Sequence, residues 1–146
     1  MLYSSKSIVL PVSLNLKKFI NNKLFNYSTG RDRPDSDFTS KISPHLHFGE
    51  ISSLRIFNEV MKSNIDEKNK KKYLSEIGWR DFSYNLLFNY PAMTELPIQL
   101  KFSKFPWSKD EKNLLNWKLG KTGIPIVDAG MKELYEMGWM HNSVRM

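Results

Sequence analysis

The stretch YLSEIGWRDFSYNLLFNYP, Tyr73 to Pro91, decides the fold class. Tyr73, Leu74, Ile77, Phe82, Leu86 and Tyr90 recur at helical spacing, and Pro91 closes the segment because a proline disfavours helix in the residue before it. The spacing predicts one long helix. Upstream, SNIDEKNKKKY (Ser63 to Tyr73) is polar and charged, and reads as a solvated loop grading into that helix. Ile51, Leu54, Phe57, Val60 and Met61 mark an amphipathic helix after the Gly49 break, and Pro44 suits a first helical turn with Ser43 as its N-cap. Leu16, Phe19, Ile20 and Leu24, interleaved with Lys17, Lys18 and Lys23, predict a short basic helix. Between them YSTGRDRPDSDFTSKIS, Tyr27 to Ser43, is crowded with turn-forming residues and reads as a loop.

Downstream of Pro91, PIQLKFSKFPW (Pro97 to Trp107) reads as a loop that has to lie against a surface to hide Phe102, Phe105 and Trp107. A helix over Lys109 to Leu119 stops at Gly120. Pro125 opens another, with Thr122 near its cap and Ile126, Val127, Met131, Leu134 and Tyr135 facing inward. The last residues, HNSVRM, carry no Gly, Pro or polar tail, so the chain is expected to stop inside an element, as a truncated product would. No repeat and no sustained strand alternation interrupts this series. The fold class is all-α.

Composition bounds the chemistry. With 146 residues the chain holds one domain or part of one. Apolar residues at 40% suffice for a core and argue against wholesale disorder. The absence of Cys removes disulfides, thiolate nucleophiles, zinc fingers and iron–sulfur clusters together and fits a reducing compartment. No apolar run approaches the roughly 20 residues of a membrane span. The start, MLYSSKSIVLPVS, lacks a secretory pattern, so the cytoplasm is the expected location. Lys and Arg number 22 against 15 for Asp and Glu, a net charge of +7. Together with Trp79, Trp107, Trp117 and Trp139 this favours nucleic acid as partner, although lysine enrichment runs through the whole chain and could be general composition.

Glu76, Trp79, Arg80 and Ser83 stand at offsets 0, 3, 4 and 7, which places a carboxylate, an indole, a guanidinium and a hydroxyl on one helix stripe. Such a mixed face suits a ligand or nucleic-acid cavity; the plainer alternative is a surface tryptophan beside an incidental Glu76 to Arg80 pair. Thr39, Ser40, Lys41, Ile42 and Ser43, just before a helix start, offer hydroxyls, N–H groups and a cation to a phosphate, or merely a cap. His45, His47 and His141 complete no ligand set, which leaves no metal site, and neither a hydrolytic triad nor a Gly-rich nucleotide loop is present.

Three segments in order change these odds: YSTGRDRPDSDFTSKISPHLHFGEIS (Tyr27 to Ser52), SEIGWRDF (Ser75 to Phe82) and GKTGIPIVDAGMKELYEMGWMHNSVRM (Gly120 to Met146). Together, over about Leu16 to Met146, they resemble the flavin-binding helical domain of the DNA photolyase and cryptochrome family, with residues 1–15 as a non-specific lead. The resemblance implies a partial all-helical domain that holds a U-shaped FAD, whose reduced form, excited by blue light, passes an electron to a pyrimidine dimer in DNA. Tyr27, Thr39, Ser40, Lys41, Ile42, Ser43, Tyr73 and Arg80 would bind FAD, Thr39 to Ser43 around its phosphates; an indole is more familiar at Tyr73. Glu76 would bond the base edges of the dimer, Trp79 would wall it, and Asn142 would line the same pocket, so these three carry the catalytic role. Arg31 resembles a phosphate-contacting arginine, and Arg145 and Met146 match positions close to flavin and lesion. Ser143 stands where an arginine commonly follows the asparagine, which predicts weaker DNA binding. Trp107 resembles the outermost tryptophan of the chain that feeds electrons to oxidised flavin.

The inner tryptophans, the Asp-rich flavin segment and an amino-terminal domain with its antenna pigment, of unknown identity, would all lie outside these residues. The chain alone is therefore expected to bind FAD weakly or not at all and to repair nothing. The resemblance implies a monomer acting on DNA that contains pyrimidine dimers, a deoxyribodipyrimidine photolyase of the cyclobutane type. The alternatives are a cryptochrome-like photoreceptor, which needs no lesion chemistry, and a basic helical module that binds nucleic acid without a cofactor.

Overall fold

The computed structural model describes residues 11–106 and 108–145, and every regular element among them is helical. The chain divides into two compact units, one formed by the residues up to Arg31 together with Ser36–Arg80, the other by Asp32–Asp35 and the residues from Asp81 onward. None of the described helices is long and apolar enough to cross a membrane.

The first unit contains α1 (Val12–Asn22), α2 (Tyr27–Gly30), α3 (Ser43–His47), α4 (Ser53–Met61) and the opening part of α5 (Glu67–Asn89). Helix α1 starts one turn earlier than Leu16 suggests, directly after Pro11, and buries Leu16, Phe19 and Ile20. Helix α4 starts where the Ser52 hydroxyl accepts the Arg55 N–H, and it turns Ile56 and Val60, both fully buried, inward. Of the five apolar residues assigned to its face, Leu54, Phe57 and Met61 stay exposed, because Ile56 sits midway along the inward stripe that they flank.

Two loops are shorter than their composition suggests. The polar run after Ser63 is helical from Glu67, since the Asp66 carboxylate accepts the Asn69 N–H at 3.0 Å and caps α5. The run from Tyr27 begins as helix α2, preceded by a 3₁₀ turn over Leu24–Asn26, because Leu24 and Tyr27 are both buried and pull the chain into a compact corner. Gly30 ends that corner against the Phe38 ring, which occupies the space a Cβ would need. Ser43 is the first residue of α3 rather than its cap; Ile42 holds the cap position with no side-chain bond.

The second unit contains the rest of α5, 3₁₀ turns over Pro91–Thr94 and Leu100–Lys104, and helices α6 (Glu111–Lys118), α7 (Pro125–Met137) and α8 (Asn142–Arg145). Asp110 caps α6 by accepting the Asn113 N–H, and Gly120, at φ 61°, breaks the chain after it. Asp128 organises the start of α7: its carboxylate accepts the Thr122 N–H and hydroxyl at 2.8 and 2.7 Å and the Gly123 N–H at 3.0 Å. Those bonds, led by the Thr122 hydroxyl, hold its pKa below the usual carboxylate range. The inward stripe of α7 is Val127, Gly130 and Met131; Ile126, Leu134 and Tyr135 are exposed, since Ile126 and Tyr135 fall off that stripe and Leu134 lies at its end. Val144 of α8 rests on Gly130, where a methyl group would collide with it. Phe102 and Phe105 are about half exposed, so the loop before Trp107 does not hide them as expected.

Candidate functional site

The first unit assembles most of the site residues read from the sequence, and it does so around a buried aromatic centre. Tyr27, Tyr73 and Phe19 pack edge to face or tilted, with ring centroids 4.7 to 5.8 Å apart, joined by Ile42 at 1% exposure. Tyr27 arrives from the corner after α1, Tyr73 from the second turn of α5, and Ile42 from the loop ahead of α3. The Ile42 side chain is therefore core, and what this residue can offer a ligand is its main chain.

Thr39, Ser40 and Lys41 line the loop leading to Ile42. Lys41 holds a left-handed backbone at φ 53°, a conformation disfavoured for a residue with a side chain. Its ammonium lies 3.5 Å from Asp37, which also receives Lys23 at 2.6 Å. Burial works against the charge of Asp37, and the two lysines more than offset it, so its pKa is lowered. The Tyr73 hydroxyl is buried without a well-formed hydrogen bond, and burial pushes its pKa up to about 12, partly offset by the nearby Ser40 hydroxyl. A buried hydroxyl short of a partner, a neighbouring serine and a strained turn are the features on which polar groups of a cofactor would fit.

One turn further along α5 the chemistry changes. Glu76 forms an ion pair with Arg31, whose guanidinium also lies 5.8 Å above the Tyr27 ring, and Lys72 stands 3.8 Å from the same carboxylate oxygen. The Arg31 side chain is 13% exposed and that of Glu76 31%. Arg80 is half-buried on the same side as Tyr73 and Glu76, while Trp79 is 63% exposed and Ser83 is exposed as well. The mixed stripe is thus split, with the acid and the guanidinium turned toward the unit and the indole outward. Asn142 and Ser143 belong to the second unit, at the exposed start of α8, and Trp107 and Met146 lie outside the described residues.

Two supporting residues escape a sequence reading. Asn69, 7% exposed, donates to the Phe25 carbonyl at 2.7 Å and accepts the Ser28 N–H at 2.6 Å, which ties the corner carrying Tyr27 to α5. Its only signal is the Asp66-x-x-Asn69 capping pattern. His141, also buried, accepts the Ser143 N–H at its Nδ1, and its Nε2 finds no partner among the described residues. Among the described residues no cluster of His, Asp and Glu suits a metal ion. A cavity of about 390 Å³ between α1 and α4, lined by Val12, Leu16, Arg55 and Glu59, includes none of the candidate cofactor or DNA residues read from the sequence.

Known proteins share both sequence and geometry. The family described as the FAD binding domain of DNA photolyase matches residues 73–146. A deoxyribodipyrimidine photo-lyase of Agrobacterium fabrum is 42% identical over 133 residues, 90% of this chain and 28% of that protein. Cryptochrome-1 of Arabidopsis thaliana is 39% identical over 140 residues, 90% of this chain and 21% of that protein. The crystal structure of a class III photolyase from Agrobacterium tumefaciens superposes with a TM-score of 0.89 at 41% identity, covering 92% of this chain and 28% of that one. An archaeal photolyase from Sulfolobus tokodaii, solved with two FAD molecules, gives 0.80 at 27% identity, over 99% of this chain and 31% of that one. The chain thus spans between a fifth and a third of the length of these relatives. The all-helical fold, the motifs along α5 and α7 and these matches agree, and the chain belongs to the family of the FAD-binding domain of DNA photolyases.

Proposed function

We propose that this chain forms one wall of the flavin and lesion site of a light-driven DNA repair enzyme that splits cyclobutane pyrimidine dimers. The observation that carries the reading is the order of groups along α5: Tyr73 meets the Ser40 loop, and Glu76, one turn on, meets Arg31. Cofactor-side and substrate-side residues are therefore neighbours on one rigid element.

The hydroxyls of Thr39, Ser40 and Ser43 and the main chain around Lys41 and Ile42 would hold the phosphates of FAD, Tyr27 and Tyr73 its wall, and Arg80 the flavin side. Reduced FAD, when bound, supplies the excited electron that opens the cyclobutane ring and takes it back. Glu76 accepts N–H groups from the edge of a base turned out of the duplex, and Trp79, with its ring open to solvent, stacks against it. Arg31 would contact the DNA backbone, and Asn142 and Ser143, in the second unit, are further DNA-contact residues. A dimer, already weakened in pairing, is turned out at lower cost than an intact step, which favours it over undamaged bases.

The test is a chimera in which this chain replaces the matching segment of the Agrobacterium tumefaciens enzyme. It is expected to purify with flavin and to split dimers under blue light, and Glu76→Ala in it is expected to keep flavin and lose splitting. A chimera without flavin absorbance would overturn the cofactor assignment. Flavin without splitting would favour the photoreceptor role suggested by the Arabidopsis relative.

A further inference from the structure

Glu76 and Arg31 both belong to the DNA side of the proposed site, yet in the folded chain they form an ion pair with one another. The Arg31 side chain, 13% exposed, is drawn in against the carboxylate and over the Tyr27 ring, and Lys72 approaches the same carboxylate from the preceding turn of α5. A guanidinium neutralised at contact distance presents little field to a phosphate, and a phosphate would draw on the same charged group that faces Glu76. Phosphate and Glu76 therefore compete for Arg31. The carboxylate is masked in turn, because the oxygen that faces Arg31 does not face a base edge.

We propose that Glu76 is a specificity-determining residue: it withholds Arg31 from DNA phosphates until an extruded base offers N–H donors of its own. The exchange runs in one concerted sense. Glu76 passes from Arg31 to the base edge, Arg31 passes from Glu76 to the backbone phosphate, and every charged group has a partner before and after. An intact duplex brings phosphates but no extruded base, so taking Arg31 from Glu76 would leave the half-buried carboxylate with Lys72 as its remaining cation, an unfavourable trade. The inference rests on the repair reading and adds a discriminating role for a residue otherwise counted as an attractive contact.

The experiment uses the 146-residue chain and an undamaged fluorescent duplex, with binding followed by anisotropy across a salt series and helicity checked by circular dichroism. Glu76→Gln is expected to bind the intact duplex about fivefold more tightly, the equivalent of one part-screened ion pair. Its salt slope is expected to steepen by about one counterion, the signature of an added phosphate contact. Glu67→Gln, which removes the same charge from the exposed first turn of α5, is expected to leave the affinity near that of the parent. Arg31→Ala combined with Glu76→Gln is expected to abolish the gain. If Glu76→Gln binds no tighter than Glu67→Gln, or the gain survives loss of Arg31, the exchange is overturned while DNA binding stands. If neither parent nor variants bind DNA at low salt, the DNA reading fails and takes the exchange with it.

Discussion

Tyr73 shows how far a single residue can be read. Its place in the sequence predicts an inward position on α5, and it is 2% exposed. What the spacing does not predict is that its hydroxyl lacks a well-formed bond, since that depends on where Ser40 stands after the loop closes. Burial raises the phenol to about 12 from 10.0, so the folded chain holds the proton more tightly than the unfolded chain. That contribution is complete below pH 10 and is lost as pH rises through about 12, a difference of about 3 kcal/mol at most. Tyr73→Phe is therefore expected to flatten the fall in stability in that window, as read by denaturant melts at stepped pH. Equal slopes for both proteins would show that the hydroxyl is not sequestered.

Among the elements, α5 was the most readable and its start the least. Periodicity locates an inward stripe because burial repeats every three to four residues. It does not locate the start, because EKNKKKY carries almost no apolar signal and its helicity depends on the Asp66 cap and on Asn69. Ile126 and Tyr135 mark the opposite failure: apolar residues assigned to an inward face lie off it and remain in water. Asn69→Ala would orphan the Ser28 N–H and the Phe25 carbonyl at once, each a part-buried group. It is expected to destabilise the first unit by about 2 to 4 kcal/mol, the range for unsatisfied buried polar groups. Urea titration followed by tyrosine fluorescence measures this, and a loss under 1 kcal/mol would assign the link between α5 and the Tyr27 corner to packing instead.

Across the whole molecule, the two units are unequally consolidated. All ten residues of the principal core cluster, from Leu16 to Tyr73, lie in the first unit. In the second, Phe88, Leu100 and Tyr135 are more than 70% exposed, and burial is confined to residues near Gly120, Gly130 and Met140. Among the described residues, amide hydrogen exchange is therefore expected to be slowest at Phe19, Ile56, Val60 and Tyr73 and fastest across residues 91–106 and 108–119. Uniform protection would contradict the burial pattern. The all-α class and the family motifs were open to reading because they are local in sequence. The pairing of Arg31 with Glu76 was not, because 44 intervening positions separate them and only the folded chain brings them together.

The seat of Val144 on Gly130 carries a lesson for anyone scanning this gene for loss of function. Codon 130 specifies a residue with nothing to bind with, yet any side chain there collides with Val144 and forces it to shift. A mutational map scored on stability would flag it beside the codons of the core, and the cause would be carpentry rather than chemistry.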